Sequence, residues 1–231
     1  MNYQRYFKAG QQLLLKVRNE SGSQERTELL TVTVSSAEEG ALVLALPYGS
    51  DVVDQYPLKQ GLPFEISGES MGLGIKATGD FLKKIDGSQF ALKLNSDLQM
   101  FQRRVAKRHD CELGIRFSRA AKTLPTMRDI WERNLEVLYS PEAPLIYEGF
   151  KKTRVNISLG GIRFNIKPPA NQGDLCLVLV NLEDRKPPIC AITEIVWSCL
   201  QSDTAVTAGM RFINILSDDQ QRIDRYVKDN T

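Results

Sequence analysis

The stretch VNISLGGIRF, Val155–Phe164, decides how the second half of the chain is read. A β-branched run enters a corner containing two glycines and leaves in a segment whose apolar residues alternate, which is a strand–turn–strand pattern. Asn156 and Ser158 are two apart on a strand, so they project to the same side. On the residues alone, both cap backbone groups at the corner, with Gly160 and Gly161 supplying positive φ.

Outward from this corner the pattern stays β-rich. CELGIRF, TRVNIS, GIRFNI, LCLVLVNL, ICAITEIVW and AGMRFINI give six short strands. In the first of them Cys111, Leu113, Ile115 and Phe117 alternate with more polar or smaller neighbours, as one buried sheet face requires. SDDQQRIDRYVKD then predicts a terminal helix, with Ser217 as N-cap, Gln220 completing a capping box, and Ile223, Tyr226 and Val227 on one face. LPTMRDIWERNLEVLYSPEAP, Leu124–Pro144, interrupts the strands. Its spacing predicts a helix near 126–139 that starts at a Thr126–Asp129 capping box. Met127, Ile130, Trp131, Leu135 and Leu138 share a face that serves either core packing or a partner contact.

The first half is also strand-like. LLLKVRN, ELLTVTVSS, ALVLALP, PFEIS, LGIKATGDFLKKI and FALKLN are separated by Gly-, Asp- and Ser-rich pieces, as expected of a small antiparallel barrel or sandwich. Asp86-Gly87 between two alternating segments is a hairpin signal. The chain of 231 residues thus divides into a domain over 1–100 and another over 101–231. Within the second, 101–109 is the expected linker and 119–150 the expected insertion.

Composition bounds the function. A formal charge of +2 argues against coating long nucleic acid, and the longest apolar runs are too short to span a bilayer, so a cytoplasmic protein is expected. The four cysteines form no CxxC pair and read as reduced, mostly buried thiols. With His109 as the one histidine, neither a metal site nor a histidine-dependent catalytic site can be assembled. No catalytic residue and no cofactor is expected.

Charge concentrates in QRRVAKRHD, Gln102–Asp110, at the domain boundary, where Arg104 and Arg108 have the spacing RxxxR and Arg103 precedes them. An arginine pair gives forked, charge-assisted bonds to phosphate or to the O6/N7 edge of guanine, which lysine cannot. Domain junctions are favoured ligand sites.

RVAKR followed by NISLGG resembles the two signatures of the PilZ domain family, RxxxR and [D/N]xSxxG, on a six-stranded barrel with a terminal helix. The leading half, through LPYGSDVVDQYPLKQGLPFEI, GDFLKKIDGSQFALKL and QMFQRR, resembles the N-terminal split barrel of the two-domain, flagellar-brake (YcgR-type) branch. The resemblance implies two tandem barrels and a non-enzymatic bacterial receptor for cyclic di-GMP. Arg103, Arg104, Arg108, Asn156, Ser158 and Gly161 would bind the ligand, with Gly160 and Arg163 as secondary contacts. It implies that the ligand reorients the domains and alters contact with a protein partner, such as the flagellar motor or other effector machinery in motility, secretion or biofilm control. A homodimer stays open as an assembly state. An arginine at position 103 leans toward a stacked pair of ligands. Asn156 in place of aspartate lowers affinity by about 1 kcal/mol, a neutral bond replacing a charge-assisted one. The 47 residues from His109 to Val155 exceed the family's usual spacing, and the inserted helix accounts for the excess. The alternative is a ligand-independent adaptor of the same architecture that works through that helix.

Overall fold

The computed structural model describes residues 3–17, 26–38, 40–48, 53, 58–102, 107–119, 123–140 and 149–231. The chain forms two compact units, one from the N-terminal half and one from Ala106–Thr231 with Gln24–Thr27.

The first unit contains β1 (Gln12–Val17), β2 (Arg26–Glu38), β3 (Ala41–Ala45), β4 (Pro63–Ser70), β5 (Leu73–Lys84), β6 (Gln89–Leu94) and the short β7 (Gln99–Phe101). Antiparallel pairings run β1–β2–β3–β6–β5–β4 and return to β1, which closes a six-stranded ring. β7 pairs with β5 outside it. The alternation seen in the sequence turns Leu13, Leu15, Leu42, Leu44, Phe64 and Phe90 into the barrel. A 3-10 turn at Tyr3–Arg5 buries Tyr3 and Phe7, with the Tyr3 hydroxyl donating to the Asn95 carbonyl at 2.9 Å. The expected β5–β6 hairpin forms. Its turn is longer than a two-residue Asp-Gly type, because Asp86 Oδ1 accepts from the Ser88 and Gln89 backbone amides at 2.8 Å each.

The second unit contains β8 (Arg108–Arg119), β9 (Lys151–Ser158), β10 (Gly161–Ile166), β11 (Leu175–Asn181), β12 (Ile189–Ser202) and β13 (Ala205–Leu216), with helices α1 (Leu124–Leu138) and α2 (Ser217–Asp229). It closes as β8–β9–β10–β13–β12–β11 and back to β8. With strands counted from each unit's start, both rings have the cyclic order 1-2-3-6-5-4. All six strands expected in each half are present.

The expected linker over 101–109 is shorter than its bounds, since Phe101 ends β7 and Arg108 opens β8; the insertion likewise starts only after Arg119. Both helix starts differ from the capping boxes read in the sequence. α1 begins at Leu124 after Thr123, with Pro125 in its first turn, and α2 follows Leu216; neither has a side-chain cap. Gln220 instead donates to the Leu159 carbonyl at 3.0 Å, tying α2 to the β9–β10 corner.

Trp131 is not a surface contact. It is 1% exposed, and its indole N–H donates to the Cys190 carbonyl at 2.8 Å. Ile130 and Leu138, expected on the same face, are only half-buried. Ile223 and Val227 of α2 close the barrel core. Beside them Arg222, 7% exposed at its side chain, bridges Asp219 of its own helix, at 1%, and Asp184 of the β11–β12 loop. The Tyr139 hydroxyl at the end of α1 donates to Asp219 at 3.3 Å. Burial raises the Asp219 carboxyl above its ordinary value despite Arg222. Burial and then the Asp219 charge push the Tyr139 phenol up to about 12. Burial works against the Arg222 charge, but hydrogen bonds to Asp184 and Asp219 outweigh it and hold the guanidinium above its ordinary value. The Arg222 guanidinium thus ties α2 to a barrel loop, and Tyr139 at the end of α1 reaches the same cluster through Asp219.

Candidate ligand site on the second barrel

The site is built by register. Val155 and Ile157 point into the core, so Asn156 and Ser158 point outward from β9. β8 and β10 flank β9 and place two cross-strand rows on that outer face. In one, Arg108 stands opposite Ser158, which stands opposite Gly161. In the other, Asp110 stands opposite Asn156, which stands opposite Arg163. The second row continues through Gly209 on β13 to Trp197 on β12.

Among the described residues Arg108 has no ion-pair partner and the Asn156 carboxamide makes no hydrogen bond. Asn156 and Ser158 are 9% and 7% exposed, polar groups largely withdrawn from water. Ser158 Oγ donates to the Gly161 carbonyl at 3.4 Å. Arg163 is engaged: its Nη2 donates to Asp110 Oδ1 at 3.2 Å, so an anion reaching Arg163 competes with that carboxylate. Arg103 and Arg104 lie outside the described residues.

Gly160 and Gly161 do not supply the positive φ expected of them. A Cβ on Gly160 would meet nothing within 4 Å. On Gly161 it would run into the Met210 carbonyl of β13. Gly161 is therefore required by close approach of an adjacent strand rather than by its backbone conformation.

Trp197 was not identified from the sequence as a site residue. It is 42% exposed, and its indole lies against Gly209 so closely that a Cβ there would strike it. An aromatic face therefore stands in the same row as Asn156 and Arg163. Asp110 was likewise missed as the partner of Arg163. Cys176 and Cys190 are buried, Cys111 is partly buried, and Cys199 is exposed, against an expectation of mostly buried thiols. No group of three or more His, Cys, Asp or Glu among the described residues could hold a metal ion. No helix among them is long and apolar enough to cross a membrane.

The fold defines a class, a tandem of six-stranded barrels of which the second carries flanking helices, and the comparisons agree with that class. Residues 102–229 match the PilZ domain, and residues 6–102 match the N-terminal PilZ-like domain PilZN1. The chain belongs to the PilZ domain family. No curated protein matches it. Among solved structures it is similar to the Bacillus subtilis inhibitor of motility MotI/DgrA, at 16% identity over 96% of this chain and 97% of that one, with a TM-score of 0.38. It is also similar to Escherichia coli YcgR in complex with c-di-GMP, at 15% identity over 94% and 83% with a TM-score of 0.36. A third is the K. pneumonia MrkH–c-di-GMP complex, at 13% over 94% and 86% with a TM-score of 0.33. Superposition this loose leaves the family assignment resting on the two domain matches.

Proposed function

We propose that the protein is a non-enzymatic receptor for cyclic di-GMP whose ligand lies on the outer face of β8–β9–β10. The observation that carries this reading is the register that sets Arg108, Ser158 and Gly161 in one row and Asn156 in the next. A dianion with two guanines needs forked cations, acceptors for guanine N–H groups, and backbone it can approach closely. Arg108 gives a fork to phosphate or to the guanine O6/N7 edge, with Arg104 and Arg103 from the preceding segment as its partners. The free Asn156 carbonyl accepts from a guanine N–H, Ser158 adds a hydroxyl, and Gly161 leaves the strand surface low. Trp197 offers a face on which a base stacks.

The ligand closes the arginine segment onto the barrel, and because that segment joins the two units, bound and free chains differ in their arrangement. The output is altered contact with a protein partner. Action through α1 as an adaptor is not favoured, since its tryptophan points inward.

Calorimetric titration with cyclic di-GMP tests the reading. Arg108→Ala or Arg104→Ala weakens binding by at least about 2 kcal/mol, more than tenfold. Wild-type affinity in either variant overturns the assignment. The same titration counts ligands per chain, and two per chain is the result expected from Arg103.

A further inference from the structure

The β12–β13 ribbon outruns the barrel that carries it. β11 pairs with β12 only from Ile189 to Glu194. The last backbone bonds on that edge are from the Ile195 amide to the Asp174 carbonyl, at 3.0 Å, and from the Gly173 amide to the Ile195 carbonyl, at 2.8 Å. β12 nevertheless continues against β13 to Ser202. From Val196 to Ser202 one edge of β12 therefore has no strand partner among the described residues.

An open edge is a template for another chain, and proteins blunt such edges with charged side chains or proline. This chain puts charge on other exposed strand ends: Lys83 and Lys84 on β5, and Lys151, Lys152 and Arg154 on β9. On Val196, Trp197, Ser198, Cys199, Leu200, Gln201 and Ser202 it puts none, and no proline. Leu200 is 66% exposed there.

The missing charge also selects the occupant. When a strand pairs antiparallel with its own copy about a two-fold axis, each residue meets one from the same short segment, and like charges set opposite each other destabilise. A neutral edge meets that condition. The midpoint of Val196–Ser202 is Cys199, inside the Trp197–Leu200 stretch that keeps regular register against β13 between shifts at Ile195/Trp197 and Leu200/Ser202; about it Leu200 meets Ser198.

We propose that Val196–Ser202 is a self-association edge, through which two copies of the chain pair antiparallel about Cys199. Opposed residues in such a pair have Cα atoms about 4.5–5.5 Å apart, within the roughly 4.4–6.8 Å that a disulfide spans. This rests on the ribbon alone and holds whether or not the chain binds cyclic di-GMP. A ribbon contact is smaller than a standard interface, so the dimer is reversible and concentration-dependent.

The test uses the full chain. Sedimentation of reduced protein over a concentration series shows a monomer–dimer equilibrium, and Leu200→Lys, a change at an exposed position, weakens it at least tenfold while the melting temperature of the dilute monomer is unchanged. Copper phenanthroline in air then joins two Cys199 thiols, which lose two protons and two electrons to the oxidant. The cross-linked dimer disappears in Cys199→Ser and persists in Cys111→Ser. A monomer at every concentration, or a Leu200→Lys dimer as tight as wild type, overturns the proposal. A dimer that Leu200→Lys breaks but that gives no Cys199 cross-link supports the edge and overturns the register.

Discussion

The two barrels share one strand order and differ at one corner. Between the second and third strands of the first ring, Glu38 stands opposite Ala41 and Ser36 opposite Val43. At the equivalent corner of the second ring, Ser158 stands opposite Gly161 and Asn156 opposite Arg163. Where one ring places a carboxylate and ordinary side chains, the other places neutral acceptors and a bare strand. Topology is thus shared while the residues at this corner are not, so the shared strand order does not by itself give both barrels the same chemistry. The rings also differ at their ends. The first tucks Tyr3 and Phe7 against its core, whereas the second is flanked by two helices joined by the Tyr139–Asp219 hydrogen bond, with Arg222 tying Asp219 to Asp184.

The largest effect that could break this contrast is at that junction. Arg222→Met leaves Asp219 buried without its cation and destabilises the second unit by about 3–5 kcal/mol. Calorimetry or hydrogen exchange resolving the two units should show the first unchanged; equal loss in both would mean that the ends are not independent. The penalty depends on pH in a defined direction. The Asp219 carboxyl already titrates above its ordinary value, and loss of Arg222 raises it further. A group whose folded pKa is raised stabilises the fold below that pKa and loses its contribution as pH rises through it. The variant therefore recovers part of its deficit on acidification, and a deficit that instead grows with acid would contradict the role given to Asp219.

Next in size is the corner itself. Gly161→Ala forces a Cβ onto the Met210 carbonyl and costs about 1–3 kcal/mol. Gly160→Ala, which meets open space, changes stability by less than about 0.5 kcal/mol. Paired denaturation curves separate the two, and equal costs would remove the close-approach explanation.

The smallest effect lies in the first ring. The Ser88 backbone amide, then its hydroxyl, hold the Asp86 carboxyl below its ordinary value. A lowered folded pKa stabilises at neutral pH and is lost as pH falls through it, so Asp86→Asn slightly flattens the acid limb of that unit's stability curve. An unchanged acid limb would show that the turn does not depend on the charge.

Much of this was legible in the sequence because strands announce themselves by alternation. All six in each half followed from that, as did the outward face shared by Asn156 and Ser158. What stayed hidden depends on pairing between distant segments. Nothing local to Trp197 says that it lies on Gly209, and nothing near Arg163 says that Asp110 will hold it. The role of Gly161 was ambiguous for the same reason, since the carbonyl it avoids lies 49 residues downstream at Met210. The helix starts were misread because Thr126 and Ser217 satisfy a local pattern that the chain does not use, while Gln220 finds the Leu159 carbonyl instead.

β9 carries a further consequence. Val155 and Ile157 face the core while Asn156 and Ser158 face outward, so core and candidate site are two readings of the same four-residue tape. Slippage by one residue would exchange them, wetting the interior as it erased the site. Folding therefore proofreads the outer face of this strand: a chain that has packed its barrel correctly has already set those two side chains in place.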